Sequence, residues 1–155
     1  MSRVQLALNV SNIDEAVAFY SKLFGAEVNK RKPGYANFAI DEPPLKLVLI
    51  EGEGGGTLNH LGVEVETAAE VEAAEGRLSA DGLTTTGVDD TTCCYALKTE
   101  TWVNDPDGAP WEWYVKTGDA EQMANTVLSD GATTCCAPVA PVAVALGRSE
   151  NTSCC

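Results

Sequence analysis

Two stretches of the chain, VQLALNV (residues 4–10) and NHLGVEV (residues 59–65), share one alternation of side-chain types. This period of two residues is typical of half-buried β-strands. Each stretch leads into a pattern typical of a helix, at residues 11–24 in the first case and 67–78 in the second. The chain therefore contains an internal repeat in which a strand is twice followed by a helix.

Both predicted helices begin at residues suited to capping. Ser11 or Asn12 can cap the first helix, and Gly25 can end it because glycine readily adopts the left-handed conformation. Thr67 and Glu70 have the spacing of a capping box at the start of the second helix.

Each half of the chain carries three further strand patterns. They are residues 26–30, 35–40 and 45–50 in the first half, and 84–88, 94–98 with 102–103, and 110–115 in the second. A glycine-rich linker at 51–56 joins the halves and lacks the Gly-Lys-Ser/Thr ending of a phosphate-binding loop. The sequence predicts an α+β fold of two βαβββ modules, at about 1–52 and 57–117, that form a curved mixed sheet around a concave cleft.

Composition and charge exclude several classes of protein. The 155 residues include 10 Lys and Arg against 23 Asp and Glu, a formal net charge of −13. This excess of negative charge disfavours nucleic acid and acidic membrane surfaces as partners. No apolar run approaches the roughly 18 residues of a membrane span, and the N-terminus turns polar too early for a secretory signal. We expect a cytoplasmic protein.

The aromatic residues mark where the folded part ends. All ten lie between Phe19 and Tyr114, so we predict a folded domain at residues 1–117. Residues 118–130 could add a short helix. Residues 131–155 have too little large apolar surface to offset the entropy of ordering, which predicts a flexible tail.

Alternation along the strands predicts which side chains face the cleft. Gln5 and His60 occupy equivalent positions of the repeat, 55 residues apart, and both would face the cleft. Glu112 lies between Trp111 and Trp113, so it also faces the cleft if the two indoles pack under helices. Two ordinary alternatives stay open: a single histidine is often a surface or core residue, and Glu112 could be exposed at the rim of the sheet.

The three predicted cleft side chains are candidate metal ligands. They offer an amide oxygen, an imidazole nitrogen and a carboxylate oxygen. Leu47 aligns with Glu112 in the first half, so no fourth protein ligand is expected. An octahedral ion held by three protein donors keeps three open positions. This is similar to the facial arrangement in non-haem Fe(II) oxygenases, with Gln in place of one histidine.

The six cysteines form three adjacent pairs. Cys93 and Cys94 fall near the predicted cleft mouth, and Cys135, Cys136, Cys154 and Cys155 lie in the tail. Adjacent thiolates suit soft centres such as As(III), Cd²⁺ or Hg²⁺. The alternative is that Cys93 and Cys94 are ordinary half-buried residues. The tail pairs are possible accessory thiols that capture or deliver a soft ion.

Several segments together resemble a known superfamily. They are residues 1–10, 19–25, 32–40, 43–49, 60–65 and 92–96. With the double βαβββ plan, they resemble the vicinal oxygen chelate superfamily of glyoxalases, bleomycin resistance proteins and extradiol dioxygenases. Within it, the resemblance is closest to organoarsenical C–As lyases and cadmium-induced proteins, and it covers nearly all of residues 1–117.

The resemblance implies an Fe(II)-dependent dioxygenase that uses O₂ to split the carbon–arsenic bond of trivalent organoarsenicals. The implied metal ligands are Gln5, His60 and Glu112, and the implied arsenic ligands are Cys93 and Cys94. Two other functions remain open at this point. One is binding of soft metals without turnover. The other is a glyoxalase-like isomerase, which would require a carboxylate as a fourth metal ligand.

Overall fold

The computed structural model describes residues 2–124 and 126–127 of the chain. The elements follow the predicted repeat. They are β1 (Arg3–Val10), α1 (Ile13–Phe24), β2 (Lys30–Lys32), β3 (Tyr35–Ile40), β4 (Leu45–Glu51), β5 (Thr57–Glu64), α2 (Ala68–Ala80), β6 (Asp89–Cys93), β7 (Ala96–Asn104), β8 (Pro110–Asp119) and β9 (Thr126–Val127).

All described strands belong to one mixed sheet with the order β2-β3-β4-β1-β5-β8-β7-β6-β9. In each module the first strand lies parallel to the last, β1 beside β4 and β5 beside β8. The modules meet where β1 and β5 pair antiparallel, with Gln5 opposite Gly62 and Ala7 opposite His60. A shift of 55 residues exchanges these two pairs, as a pseudo-twofold axis requires. The predicted α+β fold of two βαβββ modules is confirmed.

The helices cover the convex face of the sheet. α1 begins at Asn12, whose side chain accepts a hydrogen bond from the Glu15 amide, and ends at Gly25 with φ of 61°. The capping box of Thr67 and Glu70 starts α2. Against α1 packs a core that includes Phe38, Leu47 and Leu49, each at most 1% exposed. The opposite face of the sheet is left for the cleft.

The equivalence of Leu47 and Glu112 is wrong by one residue. Val48 lies opposite Ala7 in the β1–β4 pair, and Glu112 lies opposite Gly62 in the β5–β8 pair. Because Ala7 and Gly62 are equivalent positions, the counterpart of Glu112 is Val48. Leu47 packs under α1, whereas Val48 belongs to an apolar cluster on the cleft face. Valine cannot bind a metal either, so this position offers no fourth ligand.

Three strand predictions differ from the structure. Of residues 26–30, only Lys30 belongs to a strand, where β2 begins. Residues 84–88 contribute a single bridge, from Thr85 to Val103, and the strand begins at Asp89 instead. Aspartate is depleted in strands, but antiparallel pairing with β7 outweighs that preference. Residues 94–95, predicted to lie in a strand, form the turn between β6 and β7.

The short helix predicted at residues 118–130 is wrong over its described part. β8 continues to Asp119, and Thr126–Val127 form β9 against β6. The backbone between them bonds to the β6–β7 turn instead of to itself, since Ala120 N donates to Tyr95 O and Tyr95 N donates to Gln122 O. The predicted tail at 131–155, with its four cysteines, lies outside the described residues.

Within the described residues, no helix is both long and apolar enough to cross a membrane.

Candidate active site

Gln5, His60 and Glu112 come together because their strands are neighbours at the centre of the sheet, in the order β1, β5, β8. The Gln5 Nε2 atom lies 2.8 Å from Glu112 Oε2 and 3.0 Å from His60 Nε2, and the last two atoms are 3.6 Å apart. The three residues are 4%, 8% and 1% exposed. We call this cluster the triad. A surface histidine and a rim-exposed Glu112 disagree with this burial, whereas a histidine of the core agrees with it.

The hydrogen bonds around His60 determine which of its ring nitrogens faces the triad as an acceptor. Its Nε2 receives the Gln5 amide hydrogen, and its Nδ1 then donates to Asn59 Oδ1 at 2.7 Å. Asn59 is itself oriented by donating to Asn9 Oδ1 at 2.8 Å. The Nε2 lone pair therefore faces Glu112, as metal coordination requires.

A buried lysine holds the other oxygen of the triad carboxylate. Lys98 Nζ bonds to Glu112 Oε1 and lies 3.3 Å from Glu100 Oε2. Burial alone would raise the pKa of Glu112, but the Lys98 charge outweighs it and holds that pKa well below its usual range. Burial also raises the pKa of Glu100, to about 7, against the opposing effect of Lys98.

Cys93 and Cys94 lie at the tight turn between β6 and β7. Cys94 and Tyr95 have φ of 56° and 60°, the left-handed conformation of a two-residue hairpin turn, which costs non-glycine residues about 1–3 kcal/mol each. The two Sγ atoms are 2.9 Å apart. The hydrogen bond from Cys93 lowers the pKa of Cys94 despite burial, and the same bond raises the pKa of Cys93.

Hydrogen bonds from outside the turn hold its backbone in this conformation. Cys94 N donates to Met123 O at 3.0 Å, and Lys30 Nζ donates to Tyr95 O at 2.9 Å. Cys94 packs against an apolar cluster of Ala7, Tyr35, Val48 and Tyr95.

One small cavity connects the triad to the turn. It has a volume of about 20 Å³, and its lining residues are Gln5, Tyr35, Lys46, Val48, His60, Cys94, Ala96, Lys98 and Tyr114. That is room for about one water molecule. A larger groove of about 320 Å³, lined partly by Arg3, Asp41 and Glu64, contains none of the predicted site residues.

The triad has the chemistry of a divalent metal site. The imidazole nitrogen and the carboxylate oxygen lie 3.6 Å apart, and the Gln5 amide, whose oxygen can serve as a donor after rotation, contacts both through its Nε2. Across residues 2–124 and 126–127, no group of three or more His, Cys, Asp and Glu side chains could hold a metal. The triad is consistent with this finding because its third member is glutamine.

The predicted site residues do not include Lys98, Glu100 or Tyr114. Treating residues 96–104 as one strand would have found the first two, because Lys98, Glu100 and Trp102 share a face by alternation. Tyr114 follows Glu112 by two residues and shares its face. Its hydroxyl donates to Gln5 Oε1 at 2.5 Å.

The family of the chain follows from a direct comparison. A family model described as Glyoxalase/Bleomycin resistance protein/Dioxygenase superfamily matches residues 3–113. The chain belongs to this superfamily, and the resemblance stated from the sequence is confirmed.

Two solved structures show the same fold. A Mn(II)-bound glyoxalase from Novosphingobium aromaticivorans has a TM-score of 0.56 and 19% identity over 80% of this chain and 44% of that one. An extradiol ring-cleaving dioxygenase from B. fuscum has a TM-score of 0.58 and 23% identity over 77% of this chain and 34% of that one.

Two curated proteins are much more similar in sequence. A trivalent organoarsenical cleaving enzyme of Thermomonospora curvata is 55% identical over 140 residues, which are 89% of this chain and 90% of that protein. The cadmium-induced protein CadI of Mycobacterium tuberculosis is 54% identical over 142 residues, 88% of this chain and 93% of that protein.

Proposed function

We propose that this chain is an Fe(II)- and O₂-dependent enzyme that cleaves the carbon–arsenic bond of trivalent organoarsenicals such as methylarsenite. The observation that carries the proposal is the shared cavity, which Cys94 and the triad residues Gln5 and His60 line together. The 55% identity to a protein named as a trivalent organoarsenical cleaving enzyme supports the same substrate class.

Cys93 and Cys94 bind the substrate in this proposal. Cys94, the thiol with the lowered pKa, attacks arsenic first, and Cys93 completes the second As–S bond. The two thiol protons leave with the two arsenic hydroxyls as water, so methylarsenite keeps its methyl group on arsenic. Holding the reactants in a fixed geometry supplies a large part of rate enhancement.

Gln5, His60 and Glu112 are the residues that would hold Fe(II), and the bound ion would supply activation of O₂. Lys98 keeps Glu112 ionised and leaves Oε2 directed at the other two donors. Methylarsenite and one O₂ balance as arsenous acid and formaldehyde, with no further reductant. The small cavity excludes bulk water from the reacting groups. We place this chemistry in a reducing cytoplasm, where Cys93 and Cys94 stay as free thiols.

A second function, binding of soft metals without turnover, is favoured by the 54% identity to a cadmium-induced protein. It needs only the thiols, so tight Cd²⁺ binding would persist in the His60→Ala variant and no product would form. A glyoxalase-like isomerase is disfavoured because Val48 occupies the position equivalent to Glu112.

Speciation of arsenic tests the proposal. Protein loaded with Fe(II) under nitrogen is mixed with methylarsenite, and arsenite is measured before and after O₂ is admitted. We expect arsenite only when both Fe(II) and O₂ are present, and none from His60→Ala protein that still binds methylarsenite. Turnover without O₂ would refute the dioxygenase, and bound but unreacted methylarsenite in air would favour the second function.

A further inference from the structure

The orientation of the Gln5 side-chain amide is determined by its hydrogen-bond partners. Its Nε2 faces Glu112 Oε2 at 2.8 Å and His60 Nε2 at 3.0 Å, and its Oε1 accepts from the Tyr114 hydroxyl at 2.5 Å. Both partners of Nε2 are acceptors. The reverse orientation would place the amide oxygen against a carboxylate, so this orientation alone satisfies the network.

A divalent cation at the triad would require the opposite orientation. An amide binds hard cations through its oxygen, since the nitrogen of the NH₂ group offers only donors. For Gln5 to serve as a ligand, its amide must rotate by about 180° around its last side-chain torsion, which is a soft sp³–sp² rotation. The rotation brings Oε1 to the side of His60 and Glu112, and it brings Nε2 to Tyr114.

Tyr114 can partner the amide in both orientations. A hydroxyl donates to an oxygen and equally accepts from an NH₂ group. Tyr114 is 1% exposed, and a tyrosine phenol is ordinarily protonated at neutral pH, so its hydroxyl has a hydrogen to donate. Tyr114 also lines the cavity, which leaves its hydrogen free to turn away when the oxygen accepts.

We propose that Tyr114 is a positioning residue that stabilises the Gln5 amide in either orientation, so that the amide can rotate when a divalent cation binds. This inference rests on the proposed metal site. A metal-bound amide is polarised and becomes a stronger donor, so the hydroxyl contributes more to the bound state. Partners of metal ligands typically contribute 10- to 100-fold to metal affinity.

Tyr114→Phe tests this role because it removes only the hydroxyl. The readout is Mn(II) affinity, measured from the free-ion signal in electron paramagnetic resonance, since Mn(II) prefers oxygen and nitrogen donors to thiols. We expect affinity to fall about 10-fold or more. Tyr35→Phe is the matched control: Tyr35 is buried in the same cavity, but its hydroxyl accepts from Asn37 Nδ2 at 2.9 Å. We expect this variant to bind Mn(II) like the unmodified protein.

Gln5→Glu separates the orientation of the amide from a general effect of the hydroxyl. Both ends of a carboxylate are oxygen, so no orientation has to be chosen. In the Gln5→Glu background, Tyr114→Phe should lower Mn(II) affinity less than about threefold. This is well below the loss of about 10-fold that we expect when residue 5 is glutamine. An equal loss in both backgrounds would overturn the proposal. If the unmodified protein bound no Mn(II), the proposed metal site would fail as well, whereas equal binding by Tyr114→Phe would refute only the role of Tyr114.

A direct measurement remains decisive even if Tyr114→Phe does not fold. The side-chain NH₂ resonances of Gln5 can be assigned by their loss in Gln5→Glu. Protein with its cysteines replaced by serine keeps Zn²⁺ away from thiols, and addition of Zn²⁺ should then shift these NH₂ resonances as their acceptor changes to Tyr114. Unshifted resonances at saturating Zn²⁺ would contradict the rotation.

Discussion

Replacing Gly62 with alanine tests whether close packing of the central strands positions the triad. A Cβ atom there would lie 3.0 Å from the Glu112 carbonyl oxygen, 3.4 Å from Glu112 Cβ and 3.5 Å from Gln5 Cβ. The nearest atom is backbone, so it cannot rotate away and the strands must separate by a few tenths of an ångström. Overpacking of this kind costs about 1–3 kcal/mol. The melting temperature should fall by about 2–4 °C for each kcal/mol.

The same displacement should weaken metal binding, because Gly62 pairs with Gln5 on one side and Glu112 on the other. We expect Mn(II) affinity to fall about 10-fold, comparable with loss of a partner of a metal ligand. Thermal unfolding followed by circular dichroism measures the first effect, and the Mn(II) titration measures the second. Gly76→Ala is the control, since no atom lies within 4 Å of its added Cβ in α2. It should stabilise by about 0.5–1 kcal/mol and leave Mn(II) affinity unchanged.

Two results would refute the reasoning. If Gly62→Ala melted no lower than the unmodified protein, the contact at 3.0 Å would relax without cost. If it melted lower but bound Mn(II) normally, the packing of β5 would stabilise the sheet without positioning the triad.

Three further predictions concern neighbours of the site. Lys98→Met leaves Glu112 buried without its cation, so the free energy of unfolding should drop by about 3–5 kcal/mol in urea titrations, and a loss under 1 kcal/mol would contradict the ion pair. Asn59 is exposed and bonds to the imidazole of the triad, so Asn59→Ala should lower Mn(II) affinity about 10-fold while the melting temperature stays nearly constant. The lowered pKa of Cys94 predicts that its alkylation, followed by peptide mass spectrometry, begins at lower pH than that of an ordinary thiol. Cys93→Ala should move this onset to higher pH, and an unchanged onset would exclude the hydrogen bond between the thiols.

The repeat made the central part of the site predictable. Alternation on β1 and β5 depends only on local sequence, and the equivalence of Gln5 and His60 follows once the two strands are recognised as copies. Burial of Glu112 follows similarly from its two flanking indoles.

Other features depend on interactions that local sequence does not contain. Leu47 and Val48 are both apolar, so a slip of one residue leaves the pattern intact, and only hydrogen bonds to β1 set the register. β6 begins with two aspartates that have low strand propensity, and its pairing with β7 decides its position. The segment after Asp119 has a helical pattern but bonds to the β6–β7 turn instead.

The pseudo-twofold axis gives the cleft two pairs of equivalent positions, and their occupants make the two sides of the cleft unlike. Gln5 corresponds to His60, and Val48 corresponds to Glu112, so three positions carry polar donors and the fourth carries an apolar side chain. Val48 packs in the same apolar cluster as Tyr95 and Cys94 of the β6–β7 turn. An isomerase would need a carboxylate there as a fourth ligand, whereas Val48 packs against the turn that carries the thiols. The cleft is therefore polar at three of these positions and apolar at Val48, where the turn that carries Cys94 packs.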